Sequence, residues 1–358
     1  MIPYFLLVAL PVLARLISKK YRFTMGKRVL LETQTASIDI FMIIFMLLLI
    51  LRGLECGTDT RQYYNLFLEY NACDFSELFM DDKHEYGYKL ISWLIGRATD
   101  SFRALLVVTA VLCMYPLWYF YKRESDSQLL TIALFLTVAP YMMYMSGIRQ
   151  AITISMGIPA WYAARKKNLP MFAAIVLLAM LFHTSAFLLC VVYPLYHARI
   201  TKKWLWFVVP CMVTVFIFRE EIFTFLFVLL WKEYTGAQET GATTILILLI
   251  LFGIYSYILP EEKNLDKDTI AMRNMLLLSI VIQFFAMLHP LSMRMNYYFL
   301  IFVPILIPRI ASRSKKQFVQ IARLSVVVMT VFFLFYFLNS AITDYDALNI
   351  FPYIPFWK

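Results

Sequence analysis

Two arginines are the residues whose chemistry is hardest to dismiss as structure. Arg149, in SGIRQAITIS (146–155), lies between apolar runs with no acidic residue within twenty positions on either side. Arg294, in HPLSMRMNYY (289–298), has the same setting. An arginine there can snorkel to lipid phosphate, or it can hold an anion, because the guanidinium fork matches phosphate oxygens. A pair on one face of a membrane favours a diphosphate clamp. His183, in LFHTSAF (181–187), closes an apolar run. It is either a hydrogen-bonded structural residue or a base able to take a proton from a hydroxyl near neutral pH. His289 precedes Pro290 and shapes a turn.

Two further segments, GTDTRQYY (57–64) with Arg52 before it and HEYGYKL (84–90), put Asp59, Arg61, Tyr63, Tyr64, Glu85 and Tyr86 in one polar stretch. Rings that stack on pyranose faces and carboxylates that accept hydroxyl protons suit a sugar. A solvated loop stapled to the membrane by its tyrosines has the same composition, and composition alone favours that simpler reading. HExxH, CxxC, clustered carboxylates at ligand spacing, GxSxG and P-loop patterns are all missing. The expectation is therefore no zinc site, no serine hydrolase and no ATPase.

The elements that must position these residues are apolar. Of 358 residues 61% are hydrophobic and 16% charged, with a mean hydropathy of +0.70, against about 25% charged in soluble domains. Apolar runs at about 2–17, 37–54, 104–121, 128–147, 148–164, 169–183, 184–197, 204–218, 242–259, 274–290, 295–310 and 324–341 predict an all-α, polytopic membrane protein of about 12 spans. Several runs are short for a perpendicular crossing, and the pair around 183–185 must turn at a polar HTS. YGYKLISWLI (86–95) and IFTFLFVLLW (222–231) are too short to span and are expected to be re-entrant or interfacial. The whole chain, 1–358, is expected to be a single transmembrane domain with long outer loops at 55–103 and 219–241 and no repeat of fixed period. The N-terminus lacks a basic n-region and a small-residue cleavage site, so it reads as a retained first helix.

Orientation follows from Lys and Arg. With the N-terminus outside, 22 of the 33 basic residues fall on the inner side or at an inner helix end, as the positive-inside rule requires. The net charge of +10 then reports topology, and nucleic acid is not expected as a partner. Loop 55–103 carries nine acidic residues against five basic ones. Every segment singled out above falls on the outer side, and the inner ionisable residues look like ordinary anchoring clusters. Cys113, Cys190 and Cys211 lie in apolar runs and are expected in the core. Cys56 and Cys73 share the long outer loop and can either pair there or stay free.

Arg52 followed by GTDTRQYYNLF, then EYGYKLISWL, SGIRQAI, FHTSAFLL and RMNYYF, in this order over residues 52 to 299, resembles the EpsG family of exopolysaccharide polymerases, related in role to the Wzy O-antigen and capsule polymerases. The resemblance implies a membrane-embedded glycosyltransferase of the polyprenyl-phosphate-donor class. It would be multi-pass in the bacterial inner membrane, with its site facing the periplasm or cell exterior. Such an enzyme transfers the growing glycan from undecaprenyl diphosphate to the non-reducing end of a fresh lipid-linked repeat unit. Carried over by position, Arg149 and Arg294 grip the diphosphate leaving group. Asp59, Glu85 or His183 serves the acceptor hydroxyl, with the choice among the three open. Arg52 and Gln150 support the pocket, and Arg61, Tyr64 and Tyr297 complete the substrate-binding set. No cofactor or metal is implied if arginines neutralise the diphosphate. Membrane lipids, a flippase and a chain-length regulator of the same pathway are the implied partners. Rival readings are a flippase, whose charges would sit near the midplane with internal repeats, an O-antigen ligase with a lipid A acceptor, and a membrane acyltransferase, against which an outer His183 argues.

Overall fold

The computed structural model describes residues 1–18, 23–25, 28–31, 36–80, 84–138, 140–231, 242–343 and 348–357. Among them are seventeen α-helices and one small antiparallel hairpin of β1 (Phe23–Met25) and β2 (Arg28–Leu31), in which Met25 faces Arg28. The helices are α1 (Ile2–Ser18), α2 (Ala36–Leu51), α3 (Thr60–Ala72), α4 (Tyr86–Ala98), α5 (Phe102–Glu124), α6 (Gln128–Thr137), α7 (Tyr141–Ser146), α8 (Ile148–Arg165) and α9 (Leu169–Met180). They continue with α10 (Val192–His197), α11 (Leu205–Ile217), α12 (Arg219–Trp231), α13 (Thr243–Ile258), α14 (Lys267–Ala286), α15 (Pro290–Leu300), α16 (Val303–Ser312) and α17 (Val319–Ile342).

By length and composition, three described helices can cross a membrane unaided: Phe102–Glu124, Lys267–Ala286 and Lys316–Ile342. Two bent pairs raise this to five, Thr184–His197 with Lys202–Ile217 at 117° and Pro290–Leu300 with Val303–Ser312 at 47°. The other expected spans are shorter or interrupted. The run 128–147 breaks where Pro140 begins α7, whose ring cannot continue a hydrogen-bonded turn. The 184–197 run opens as a 3₁₀ segment, Thr184–Val191, so its residues do not form one straight α-helix.

At the centre lie α8, α14 and α16, which are buried along most of their length. Their polar side chains turn inward and are satisfied there. Asn296 donates to Gln283 Oε1 at 2.8 Å, and Gln283 donates to the Ala242 carbonyl at 3.2 Å. Such pairs hold helices together where apolar packing has little driving force against lipid. Outside them, α1, α5, α9, α11 and α17 leave apolar faces exposed, among them Leu13, Val111, Leu177, Trp206 and Val331.

Helices α3 and α4 do not cross the bundle. They lie side by side against its end, with Tyr63 of α3 beside Tyr88 of α4 and Asn71 beside Gly96, α3 burying Tyr63, Phe67 and Tyr70 and α4 burying Tyr88, Lys89, Ser92 and Gly96. Gly87 lets α4 approach the end of α9, since its N–H donates to the Leu181 carbonyl at 2.6 Å and a Cβ there would meet the same oxygen. At the turn before α3, Gly57 has φ +92°, which a side chain tolerates poorly. Residues 348–357 run back over this end, with Gly53 N–H donating to Ile354 O and Phe356 N–H to Leu51 O.

Cys56 and Cys73 form no disulfide with each other, because the thirteen-residue α3 lies between them and holds their Cα atoms about 20 Å apart along its axis, well beyond disulfide reach. Cys113 is buried as expected, but Cys190 and Cys211 are exposed. They sit on helix faces that point away from the bundle, where a small apolar residue serves lipid contact as well as core packing. The expected outer loop 219–241 begins as α12, and residues 232–241 lie outside the described ones.

Candidate active site

The end of the bundle covered by α3, α4 and residues 348–357 also receives the N-terminus of α8, the turn after α9 and the start of α15. That brings Glu85, Arg149, His183 and Arg294 to one side of the molecule from four separate segments.

Glu85 is the hub. It occupies the position before the first turn of α4, where a negative charge is favoured by the exposed helix N–H groups. Its side chain reaches across to the turn after α9. Oε1 meets His183 Nδ1 at 2.9 Å and accepts from Thr184 N–H at 3.0 Å, with the Thr184 hydroxyl at 3.4 Å. Oε2 pairs with Arg149 Nη1. Burial by itself would raise the carboxyl. The hydrogen bonds from His183 and the Thr184 N–H and the charge of Arg149 outweigh it and hold Glu85 down at about 2. Glu85 is thus an anion throughout the physiological range. An anionic carboxylate only accepts, so His183 Nδ1 carries a proton, and in the neutral imidazole Nε2 is the nitrogen with the lone pair. The side chains are 16% exposed for Glu85, 19% for Arg149 and 30% for His183, which leaves the imidazole the most reachable of the three.

Arg149 is the second residue of α8 and lies 5.9 Å from the Tyr63 ring centroid. Its Nε is buried with no hydrogen-bond partner among the described residues. The next residue, Gln150, donates from Nε2 to the Arg294 carbonyl at 2.9 Å and so fixes the start of α15 against α8. Arg294 itself is half-buried, and its guanidinium makes no hydrogen bond or ion pair among the described residues. Glu85 balances Arg149, while Arg294 brings to this end a positive charge that no ion pair neutralises among the described residues. Tyr297 is buried one turn further along α15, within reach of the Arg294 charge.

The remaining sequence candidates lie at the same end but make different contacts. Arg52 is buried and donates from Nη1 to the carbonyls of Tyr144 and Met145 at 3.0 and 2.8 Å. It therefore caps α7 and anchors the backbone that leads into Arg149. Asp59 accepts from Thr58 Oγ1 at 3.0 Å, while its own N–H meets Ser146 Oγ at 3.4 Å; no hydrogen bond joins it to Glu85 or His183. Arg61 pairs with Glu55 on the exposed surface. Tyr64 is half-buried with its ring edge-on to Phe102 at 5.5 Å. His289 does shape its turn, since its Nδ1 accepts from Leu291 N–H at 3.1 Å.

Sequence reasoning missed a line of hydroxyls beside His183. Ser185 Oγ lies 2.9 Å from Tyr298 OH, which lies 2.7 Å from Thr153 Oγ1, which donates to Gln150 O at 2.8 Å. The signal was present in HTS and in the four-residue step from Arg149 to Thr153, which places both on one face of α8. The end expected to face inward was also under-read. Arg165 joins Glu124 and Asp268, each at 2.9 Å, and Arg309 meets Glu124 at 2.6 Å. These residues clasp α5, α8, α14 and α16 rather than anchoring each helix alone. Among the described residues no group of three or more His, Cys, Asp or Glu side chains could hold a metal ion.

The sequence profile of the EpsG family matches residues 38–354, nearly the whole chain. No curated protein and no solved structure matches it.

Proposed function

The chain belongs to the EpsG family, whose members are Wzy-like polysaccharide polymerases, and from that premise we propose that it lengthens a lipid-linked glycan by a metal-independent glycosyl transfer at the Glu85 hub. The observation that carries this reading is a carboxylate holding a histidine, a backbone N–H and an arginine at once, at the same end as Arg294, whose guanidinium has no hydrogen bond or ion pair among the described residues. The donor is the growing glycan on undecaprenyl diphosphate, and the acceptor is the non-reducing end of a fresh lipid-linked repeat unit. Arg294, with the unused donors of Arg149, receives the diphosphate. His183 Nε2 takes the proton of the acceptor hydroxyl as its oxygen bonds to the anomeric carbon. The carbon–oxygen bond to the diphosphate breaks, and undecaprenyl diphosphate leaves with the electron pair. Positive charge beside that departing oxygen stabilises the transition state. Glu85 keeps the imidazole in the right tautomer and does not itself take the proton, a division of labour familiar from hydrogen-bonded acid–histidine pairs.

Topologically, we read the helices as about twelve crossings with both termini outside. In that arrangement α6 with α7 is one crossing and α15 with α16 another, and the hub faces the periplasm or exterior. Short and broken helices are compatible with this, since irregular backbone inside a membrane is tolerated where it is covered by protein. Lipid-linked units reach that face through a flippase, and a chain-length regulator is the natural partner of a polymerase. Transport by the protein itself is the rival, with the bent pair α15–α16 as its support; the gathering of reactive residues at one end favours transfer.

The test is deletion of the gene followed by analysis of the surface polysaccharide, with wild type, His183→Ala and Arg294→Ala as complementing copies. Polymerisation predicts single capped repeats in the deletion and in both variants. Long unattached chains would identify a ligase, and loss of outer-leaflet units would identify a flippase.

A further inference from the structure

A second polar cluster stands at the opposite end of the bundle from Glu85. A cleft of about 550 Å³ opens there between the end of α1, the turn from α5 to α6, and α17. Arg15, Lys122, Ser125 and Ser127 line its polar side, and Val327 and Val331 belong to its apolar wall. The valines are 59% and 64% exposed and continue the bare face of α17 toward the middle of the bundle. Arg15 is half-buried, and neither its guanidinium nor the Ser127 hydroxyl has a hydrogen-bonding partner among the described residues. Ser127 stands just before α6 without capping it by its side chain, so the first N–H groups of that ten-residue helix are available as well.

The charges in and around the cleft do not cancel. Lys122 pairs with Asp39 at 3.0 Å, and Asp126 is taken by Arg313 at 3.0 Å and by Ser312. Among the described residues Arg15 is left over, giving the polar side a surplus of one positive charge. Lys122 also closes a neighbouring cavity of about 520 Å³ between α2 and α5, lined by Met42, Met46 and Met114 among others. That slot has deformable apolar walls, as thioether side chains provide, and a cation at its mouth.

We propose that this cleft binds an anionic phospholipid of the leaflet opposite the Glu85 face. Its phosphate lies between Arg15 and Lys122 with the Ser127 hydroxyl as a further donor, and an acyl chain lies along Val327 and Val331. A free phosphate would use the polar side alone and would gain nothing from the apolar wall. A zwitterionic lipid would leave the surplus charge of Arg15 unmatched. Neither the cleft nor its residues take part in the glycosyl transfer, so the two readings stand or fall separately.

The experiment is native mass spectrometry of the full chain released from detergent after equilibration with equal amounts of phosphatidylglycerol and phosphatidylcholine of identical chains. The expected result is a first retained lipid that is phosphatidylglycerol, with Arg15→Gln lowering that preference about fivefold, the typical effect of one basic residue on anionic-lipid binding. Val331→Trp, which fills the wall, should reduce retention of both lipids. Because Arg15 has no hydrogen bond or ion pair among the described residues, Arg15→Gln should melt like wild type in lipid-free detergent. If it does not fold, Arg15→Lys takes its place and should keep the preference. Equal retention of the two lipids by wild type, or an undiminished preference in Arg15→Gln, would overturn the proposal. So would displacement of phosphatidylglycerol by millimolar inorganic phosphate, which would mark the cleft as a phosphate site.

Discussion

Glu85→Gln is the substitution that best separates an orienting carboxylate from a base. The side chain keeps its shape and loses only its charge and one acceptor. In the wild type, one oxygen serves His183 at 2.9 Å and Thr184 N–H at 3.0 Å while the other serves Arg149. A glutamine can turn its carbonyl to His183 and then points an NH₂ at a guanidinium, or it can face Arg149 and then presents a donor to Nδ1, which reverses the imidazole tautomer. Either way one charge-assisted hydrogen bond is lost, at about 1.5–3 kcal/mol. If the loss is felt in the transition state, turnover falls roughly 13- to 160-fold for about 1.5–3 kcal/mol. The assay is single-turnover elongation of purified lipid-linked repeat units by equal amounts of reconstituted protein. Because Glu85 acts through His183, the double variant Glu85→Gln/His183→Ala should be no slower than His183→Ala alone. Asp59→Asn, whose side chain hydrogen-bonds only Thr58 among the described residues, should stay within about threefold of wild type. A Glu85→Gln enzyme within threefold of wild type, or a double variant much slower than His183→Ala, would refute the assignment.

Arg149→Lys and Arg294→Lys should each elongate about as poorly as the Ala variants, since a point charge lacks the fork that meets two diphosphate oxygens; near-normal ladders from both would leave the arginines as lipid anchors. Arg52→Gln should lower stability by about 2–3 kcal/mol through its lost bonds to the Tyr144 and Met145 carbonyls, measured as a reduced melting temperature in detergent. Glu85 is held at about 2, below its ordinary 4.5, so its charge adds stability above pH 4.5 that fades as pH falls toward 2. The melting temperatures of wild type and Glu85→Gln should therefore converge across that interval, and a gap unchanged at pH 2.5 would contradict the ion pair.

What could be read from the sequence follows from distance along the chain. Apolar runs and the Lys and Arg balance are local, and they located the helices and placed Arg52, Glu85, Arg149, His183 and Arg294 at one end. Pairing is not local. Arg149 has no acid within twenty positions, yet its partner Glu85 lies 64 residues upstream, and Glu85 meets His183 across 98. No periodicity carries that information; it arises where Gly87 lets α4 dock on the end of α9. Likewise Arg52 and Arg149 look alike as isolated arginines in sequence. Only their surroundings separate a cap on α7 from a member of the hub. The breaks at Pro140 and before Val303 shorten helices that a hydropathy window joins, because apolar composition continues through a turn that the backbone does not.

The most direct measurement is a reconstitution with purified protein and one lipid-linked repeat unit, following both the glycan length and the release of undecaprenyl diphosphate. Glycosyl transfer at the Glu85 hub predicts a ladder whose growth releases one undecaprenyl diphosphate per added unit, in wild type but not in His183→Ala. Movement of intact repeat units between leaflets, with no lengthening and no released carrier, would contradict it.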